Sequence, residues 1–275
     1  MKSIKHTLAA ALIGSGIALA STANAGNILL TGHDVLLHGG QDGYDDVALD
    51  FLRNGEDAST YSIAVIGSGV GFWNFSEGGV DNAGGKVKAG YESTTYFDTD
   101  TMTDASWDTV FSSDLMIILS HTSCGGCDLS DAGVAAINAR SADIATAFNG
   151  GMDIWANSGA RNASYYDFLP PGATTTGPSI SGSTGFTPTA EGTAIGFTAA
   201  MMNGNPTHNR FADFDPDFTV FETRGSEVIT IGLLDGTISG GGIDTGPKGV
   251  PEASTLGLFG LGLLGLLSTR RKKQA

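Results

Sequence analysis

The sequence predicts an α/β fold with a mostly parallel central sheet and a β-rich C-terminal part, on three observations. Short apolar runs, NILLT at 27–31, YSIAVIG at 61–67 and DLMIILS at 114–120, alternate with amphipathic stretches of helical length. After Pro171 helical periodicity is lost and the texture turns to Thr, Gly and Ser, before two strand-like runs near the end. No internal repeat of solenoid or propeller period interrupts this order.

Taken along the chain, Asn27 to Thr31 reads as a first buried strand and Asp45 to Arg53 as a helix offering Val47, Leu49, Phe51 and Leu52 for packing. Tyr61 to Gly67 is the second strand. The glycine-rich stretch from Ser68 to Gly90 reads as a lid or a long irregular loop. Asp104 to Phe111 is a short helix leading into Asp114–Ser120, the clearest central strand. Ser130 is the expected N-cap of a helix to Phe148, with Val134, Ile137, Ile144 and Phe148 at helical spacing and Gly150-Gly151 ending it. Met152 to Ala156 is the next strand, and Tyr165, Tyr166 and Phe168 lie in a helix or turn that runs to Pro170-Pro171. Phe218–Glu222 and Glu227–Leu233 read as strands about the Arg224-Gly225 turn, and Asp235-Gly236 turns the chain into Thr237–Ser239.

Both ends carry addresses. Lys2, Lys5 and His6 precede an apolar run from Leu8 to Ala20, and Ala23-Asn24-Ala25 is a small-residue cleavage pattern, so signal peptidase is expected to cut between Ala25 and Gly26. At the other end Val250, Pro251 and Glu252 precede seventeen uncharged residues, Ala253 to Thr269, and then Arg270, Arg271, Lys272 and Lys273. Seventeen residues are at the lower limit for spanning hydrocarbon, and the basic cluster holds that end cytoplasmic. A transmembrane anchor is one reading. The order of motif, apolar stretch and basic cluster also resembles the PEP-CTERM sorting signal, although Ala253 stands where that family usually repeats proline. The resemblance implies a transmembrane helix that anchors the chain transiently, recognition and cutting by an exosortase, and delivery to the cell envelope, outer surface or medium. The organisation is then signal peptide 1–25, α/β domain 26–239, linker 240–249 and sorting signal 250–275.

Charge narrows the partners. The chain carries a net charge of −15, and removing both signals, with six of the fourteen basic residues and one of the twenty-nine acidic ones, leaves −20. Such a surface repels nucleic acid phosphates and anionic headgroups, so no nucleic acid partner is expected. Solubility explains the charge, as does attraction of divalent cations or basic partners. The two cysteines, Cys124 and Cys127, occur as CGGC in a chain bound for an oxidising compartment, and read as a loop disulfide. A redox dithiol is the alternative, and His121 adds metal-like spacing, but no second CxxC or HxxxH completes four zinc ligands.

Four strings, NILLTGHD, DLMIILSHTSCGGC, NGGMDIWANSGA and GNPTHNRF, resemble the class I glutamine amidotransferase-like family, including its ThuA-like members, over about Asn27 to Gly232. The resemblance implies a flavodoxin-like three-layer sandwich. It places Asn157 where that family has its cysteine nucleophile, with Ser158 one residue on, His208 at the catalytic base and Gly125-Gly126 near the oxyanion hole. His33 and His38 flank the carboxyl end of the first strand and His121 follows another, at the edge where open α/β sheets place ligands. They and Asn157 outline a ligand pocket, or a metal site with Asp34 or Asp128. Asp98, Asp100 and Asp104, and Asp213, Asp215 and Asp217, have the alternation of calcium loops without the glycine and glutamate of an EF-hand, and read as solvated loop carboxylates. No cofactor is assigned. Two functions remain: a non-catalytic exported domain that binds a small molecule, a glycan such as extracellular polysaccharide, or another envelope or biofilm component, and a hydrolase using Ser158 with His208 or a histidine-bound metal.

Overall fold

The computed structural model describes residues 25–36, 43–68, 93–121, 128–160, 162–171, 173–176, 180–239 and 242–245. The apolar runs become neighbours in one sheet. Strands β1 (Ile28–Thr31), β2 (Ser62–Gly67), β3 (Ser93–Asp98), β4 (Leu115–Ile118) and β5 (Asp153–Ala156) run parallel in the order β3-β2-β4-β5-β1. The antiparallel part follows on the other side of β1. It comprises β6 (Thr174–Thr176), β7 (Thr187–Pro188), β8 (Phe211–Phe214), β9 (Thr219–Arg224) and β10 (Glu227–Leu233), making ten strands. β10 is the hinge of this half: it pairs with β1 from Leu233 opposite Ile28 to Thr230 opposite Thr31, forms a hairpin with β9, and meets β8 at Val228.

This is the mixed α/β architecture expected, but its parallel strands do not follow the flavodoxin-like order 2-1-3-4-5. β1 sits beyond β5 instead of between β2 and β3. The reason lies in β10, whose Ile229 and Ile231 are fully buried and Leu233 nearly so, and which needs an interior neighbour; β1 supplies that edge while its other edge takes β5.

Because successive strand residues face opposite sides, each apolar run feeds two cores. Ile28, Leu30, Ile66, Met116, Ile118 and Ile154 face Trp107 and Val110 of α2 (Asp104–Phe111), Val134 and Ile137 of α3 (Asp131–Asn138), and Ile144 and Phe148 of α4 (Ser141–Asn149). Leu29, Ile63, Val65, Ile117 and Trp155 face Ala48, Leu49, Phe51 and Leu52 of α1 (Tyr44–Arg53). Phe197 and Met202 extend that second layer, between and on the short helices α5 (Ala190–Ala194) and α6 (Ala199–Asn203). Helices therefore cover both faces, and the fold has three layers.

Four local outcomes differ from the sequence expectation. β3 was not anticipated; STTYFD has no buried residue and forms the edge beside β2, so it carries no apolar run. The helix expected from Ser130 to Phe148 breaks at Ala139-Arg140, where Arg140 has left helical geometry, and Ser130 caps only its first half. α5 and α6 are five residues each, too short for periodicity, and are started by Thr189 and Thr198 side chains that accept from the third residue on. Gly242–Thr245, inside the segment read as linker, forms β12 against β11 (Gly236–Ser239), with Ile243 buried in the first core. The regular fold thus extends to Thr245. Among the described residues no helix is long and apolar enough to cross a membrane, and the apolar stretch 253–269 lies outside them.

Candidate functional site

The chain leaves β1 towards α1 on one face and leaves β5 towards Tyr165, Tyr166 and Phe168 on the other. Open α/β sheets place ligands where connections from adjacent parallel strands diverge, and here the carboxyl ends of β1 and β5 form a closely packed edge in which His33, Asp34, Asn157 and Ser158 are buried. The segment 205–209 lies across it: Gly32 O accepts from the His208 N–H at 2.9 Å, and the Asp34 N–H donates to Pro206 O at 2.9 Å. Gly32 permits this approach, since a Cβ there would come 2.0 Å from Asn209 O. His33, Asp34, His121, Asn157, Ser158, His208 and Asn209 are all brought to this edge.

Ser158 does not face His208. It is fully buried, and its hydroxyl donates to Asn209 Oδ1 at 2.7 Å; the Gly159 N–H donates to the same oxygen at 2.8 Å. Ser158 Oγ in turn accepts from the Ala160 N–H at 3.3 Å, across a sharp turn in which Ala160 has φ 29°. A left-handed alanine is strained, and this bond and the shared Asn209 acceptor hold it. Asn157, in the position the resemblance gives to the nucleophile, donates from Nδ2 to Ile118 O at 3.0 Å and is buried. Asn209 is the site residue that the sequence reading missed; a lone Asn after His208 carries no periodic or motif signal.

His208 instead faces Asp34, with Nε2 3.7 Å from Asp34 Oδ2 and the histidine side chain 20 % exposed. Asp34 is buried, and buried Asp128 lies near it. Burial first, then the charge of Asp34, raises the Asp128 carboxyl well above the usual carboxylate range. Tyr165 stands beside the pair, its hydroxyl donating to Leu119 O at 2.8 Å, and burial raises its pKa strongly.

The remaining histidines go elsewhere. His33 turns into a closed network: Nε2 is 2.7 Å from Glu222 Oε1, Nδ1 is 2.7 Å from Thr207 Oγ1, and Glu222 Oε2 accepts from Thr230 Oγ1 at 2.5 Å. Thr31 and Tyr44 complete it, every member is buried, and the rings of Tyr44 and Phe186 pack edge-on against His33. His121 Nε2 is 3.0 Å from Asp131 Oδ1 at the start of α3, an oxygen that also accepts from Asn162 Nδ2. Among the described residues no three His, Cys, Asp or Glu side chains converge on a metal position. His38, Cys124, Gly125, Gly126, Cys127, Val250, Pro251 and Glu252 lie outside the described residues. In the acidic clusters, Asp98 and Asp215 accept from the N–H two residues on, Asp213 accepts from its neighbour's, and Asp104 pairs with Arg140. A groove of about 810 Å³ between α4, residues 166–171 and β11 is separate from this edge and has Asp167 as its one carboxylate.

Neither the curated proteins nor the solved structures give a match to this chain. Residues 249–272 match the PEP-CTERM protein-sorting motif, which covers the tail and leaves the folded domain without an assigned relative. The motif implies an exported protein that is processed by an exosortase and destined for the cell envelope or the exterior.

Proposed function

We propose that the exported domain is a non-catalytic binding module of the cell envelope or extracellular matrix, receiving a polar, hydroxyl-rich ligand such as a glycan at the carboxyl ends of β1 and β5. The observation that carries this reading is the engagement of Ser158: a buried hydroxyl that donates to an amide oxygen, beside an asparagine in the nucleophile position, is a fixed turn and not an activated nucleophile. His208, whose side chain is partly exposed, offers an imidazole to sugar hydroxyls, and buried Asp34 faces that ring from behind at 3.7 Å. Export by signal peptidase and sorting by an exosortase bring it to exopolysaccharide and other envelope components, the partners expected there. The likeness of the domain to amidotransferase-like proteins rests on the four sequence strings alone, and the strand order departs from it.

The hydrolase reading, with Ser158 and His208 or a histidine-bound metal, draws on the strained turn at Ala160, since strain collects at reacting turns. One experiment separates the two. The exported protein is titrated calorimetrically with extracellular polysaccharide from the cells that produce it, and assayed in parallel on chromogenic esters and amides. Saturable binding that falls at least about tenfold in Asp34→Asn, without turnover, supports the binding module. Turnover that disappears in Ser158→Ala moves the assignment to the hydrolase. Neither binding nor turnover overturns both.

A further inference from the structure

The opposite edge of the sheet holds a second polar group that the proposed ligand site does not use. Gly26, the expected first residue after signal-peptide removal, is buried there, its N–H donating to Phe148 O at 2.9 Å in the last turn of α4. Its own carbonyl accepts from the Gly236 N–H at 3.1 Å. A Cβ at position 26 would come 2.1 Å from Met152 O and 2.7 Å from the Phe148 ring, so only glycine fits. One residue on, the Asn27 N–H donates to Asp153 Oδ1 at 2.6 Å, and Tyr61 OH donates to Asp153 Oδ2. Asp153 is 4 % exposed and, among the described residues, forms no ion pair with a cation: Tyr61, Glu56 and Asp114 are the titratable groups that face it, and Asp235 reaches the cluster through its backbone N–H on Asn27 Oδ1.

We propose that this pocket is a binding site for the chain's own new N-terminus: cleavage after Ala25 turns the Gly26 amide into an α-ammonium, which caps the carbonyl end of α4 and gives buried Asp153 its counter-charge. The inference rests on the export reading for the position of the cut. Its physics is independent of what the other edge binds. A helix C-terminus, where carbonyls lack intrahelical donors, favours a cation, and an opposite charge one residue away favours an ionised carboxylate. In a chain that continues through Ala25 there is no such charge, and burial pushes the Asp153 carboxyl up to about 7, against the opposing hydrogen bonds of Tyr61 and Asn27. Peptide cleavage by water supplies both products, the Ala25 carboxylate and the Gly26 amine, so the step balances without a further reactant.

The pH dependence follows in sign. An aspartate whose folded pKa is raised binds its proton more tightly when folded, so stability contributed by that proton is present at acid pH and declines as pH rises from about 4 towards 7. The docked ammonium opposes that decline. It acts only while both it and Asp153 are charged, so its contribution grows as Asp153 ionises and is lost once the α-amine, ordinarily near 8, has given up its proton.

The test compares two chains that both run to Ala275, one beginning at Gly26 and one retaining Ala23-Asn24-Ala25. At pH 7 the Gly26 chain is expected to melt roughly 3–6 °C higher, a difference that closes near pH 4 and again above about pH 10. In Asp153→Asn the difference at pH 7 shrinks to a small remainder. Equal melting at pH 7 overturns the proposal, as does a difference that persists at pH 10 or in Asp153→Asn, which would be crowding by the extra residues. Edman sequencing of the exported protein tests the cut itself: Gly26 in the first cycle supports the site's natural use, and any other first residue removes it, whatever the engineered pair does.

Discussion

At the scale of single residues, Asn209 decides what the β5 turn is for. Its Oδ1 gathers two donors, Ser158 Oγ and the Gly159 N–H, in a place closed to water. Asn209→Ala leaves both donors buried and unsatisfied, so a loss of about 3 kcal/mol in urea denaturation is expected. Ser158→Ala should cost less, about 1–2 kcal/mol, because the Gly159 N–H keeps its acceptor and only the longer Ala160 N–H bond to Ser158 Oγ is left unmade. The reverse ranking would mean that the asparagine is not the lock of this turn. The sequence placed Ser158, Asn157 and His208 at one edge because each follows a legible strand or recognisable string. It could not show which side chain turns to which. His33 illustrates the limit: it emerges from β1 as predicted, yet pairs with Glu222, 189 residues away on β9, a partner that no local spacing announces.

At the scale of elements, legibility followed burial. β1, β2, β4, β5, α1 and α2 appear close to their expected bounds because their apolar residues are consecutive or helically spaced, and β9 and β10 because a glycine turn separates them. Elements that bury little were invisible, β3 above all. The hairpin of β11 and β12 was half seen; Gly242–Thr245 holds one described buried side chain amid glycine and polar residues, which is the composition of a linker. That side chain has a definite job. Ile243 is 5 % exposed and lies with Ile238 on the first core, while Asn149 at the end of α4 grips both the N–H and the carbonyl of Ile238. Ile243→Ala should therefore destabilise by about 2–4 kcal/mol, as for a core isoleucine truncated elsewhere. A loss under about 0.5 kcal/mol, measured by the same denaturation, would return the segment to the status of a linker.

At the scale of the molecule, the two halves of the sheet are joined by β1 and β10, which share four register pairs in its middle. Neither half has a core of its own: the first hydrophobic cluster contains Ile154 from β5 and Ile231 from β10, and the second contains Trp155 and Ile229. Parallel and antiparallel parts should consequently unfold together. Far-ultraviolet dichroism and tryptophan fluorescence are expected to report coincident urea transitions, Trp107 lying in the first shared cluster and Trp155 in the second. Two separated transitions would divide the sheet at the β1–β10 seam. The strand order behind this prediction was not written in the sequence, since apolar runs state that strands are interior without naming their neighbours.

The close approach of Gly26 to Gly236 has a geometrical consequence. Gly236 stands opposite Thr245 in the terminal hairpin, so the fold's first and last described residues leave from the same rim, at the amino ends of the parallel strands. Asp34 and His208 lie at the other rim, beyond the carboxyl ends of those strands. The described chain therefore enters and leaves its fold on one side, remote from the side that carries this aspartate and histidine, so neither end of the fold crosses that surface.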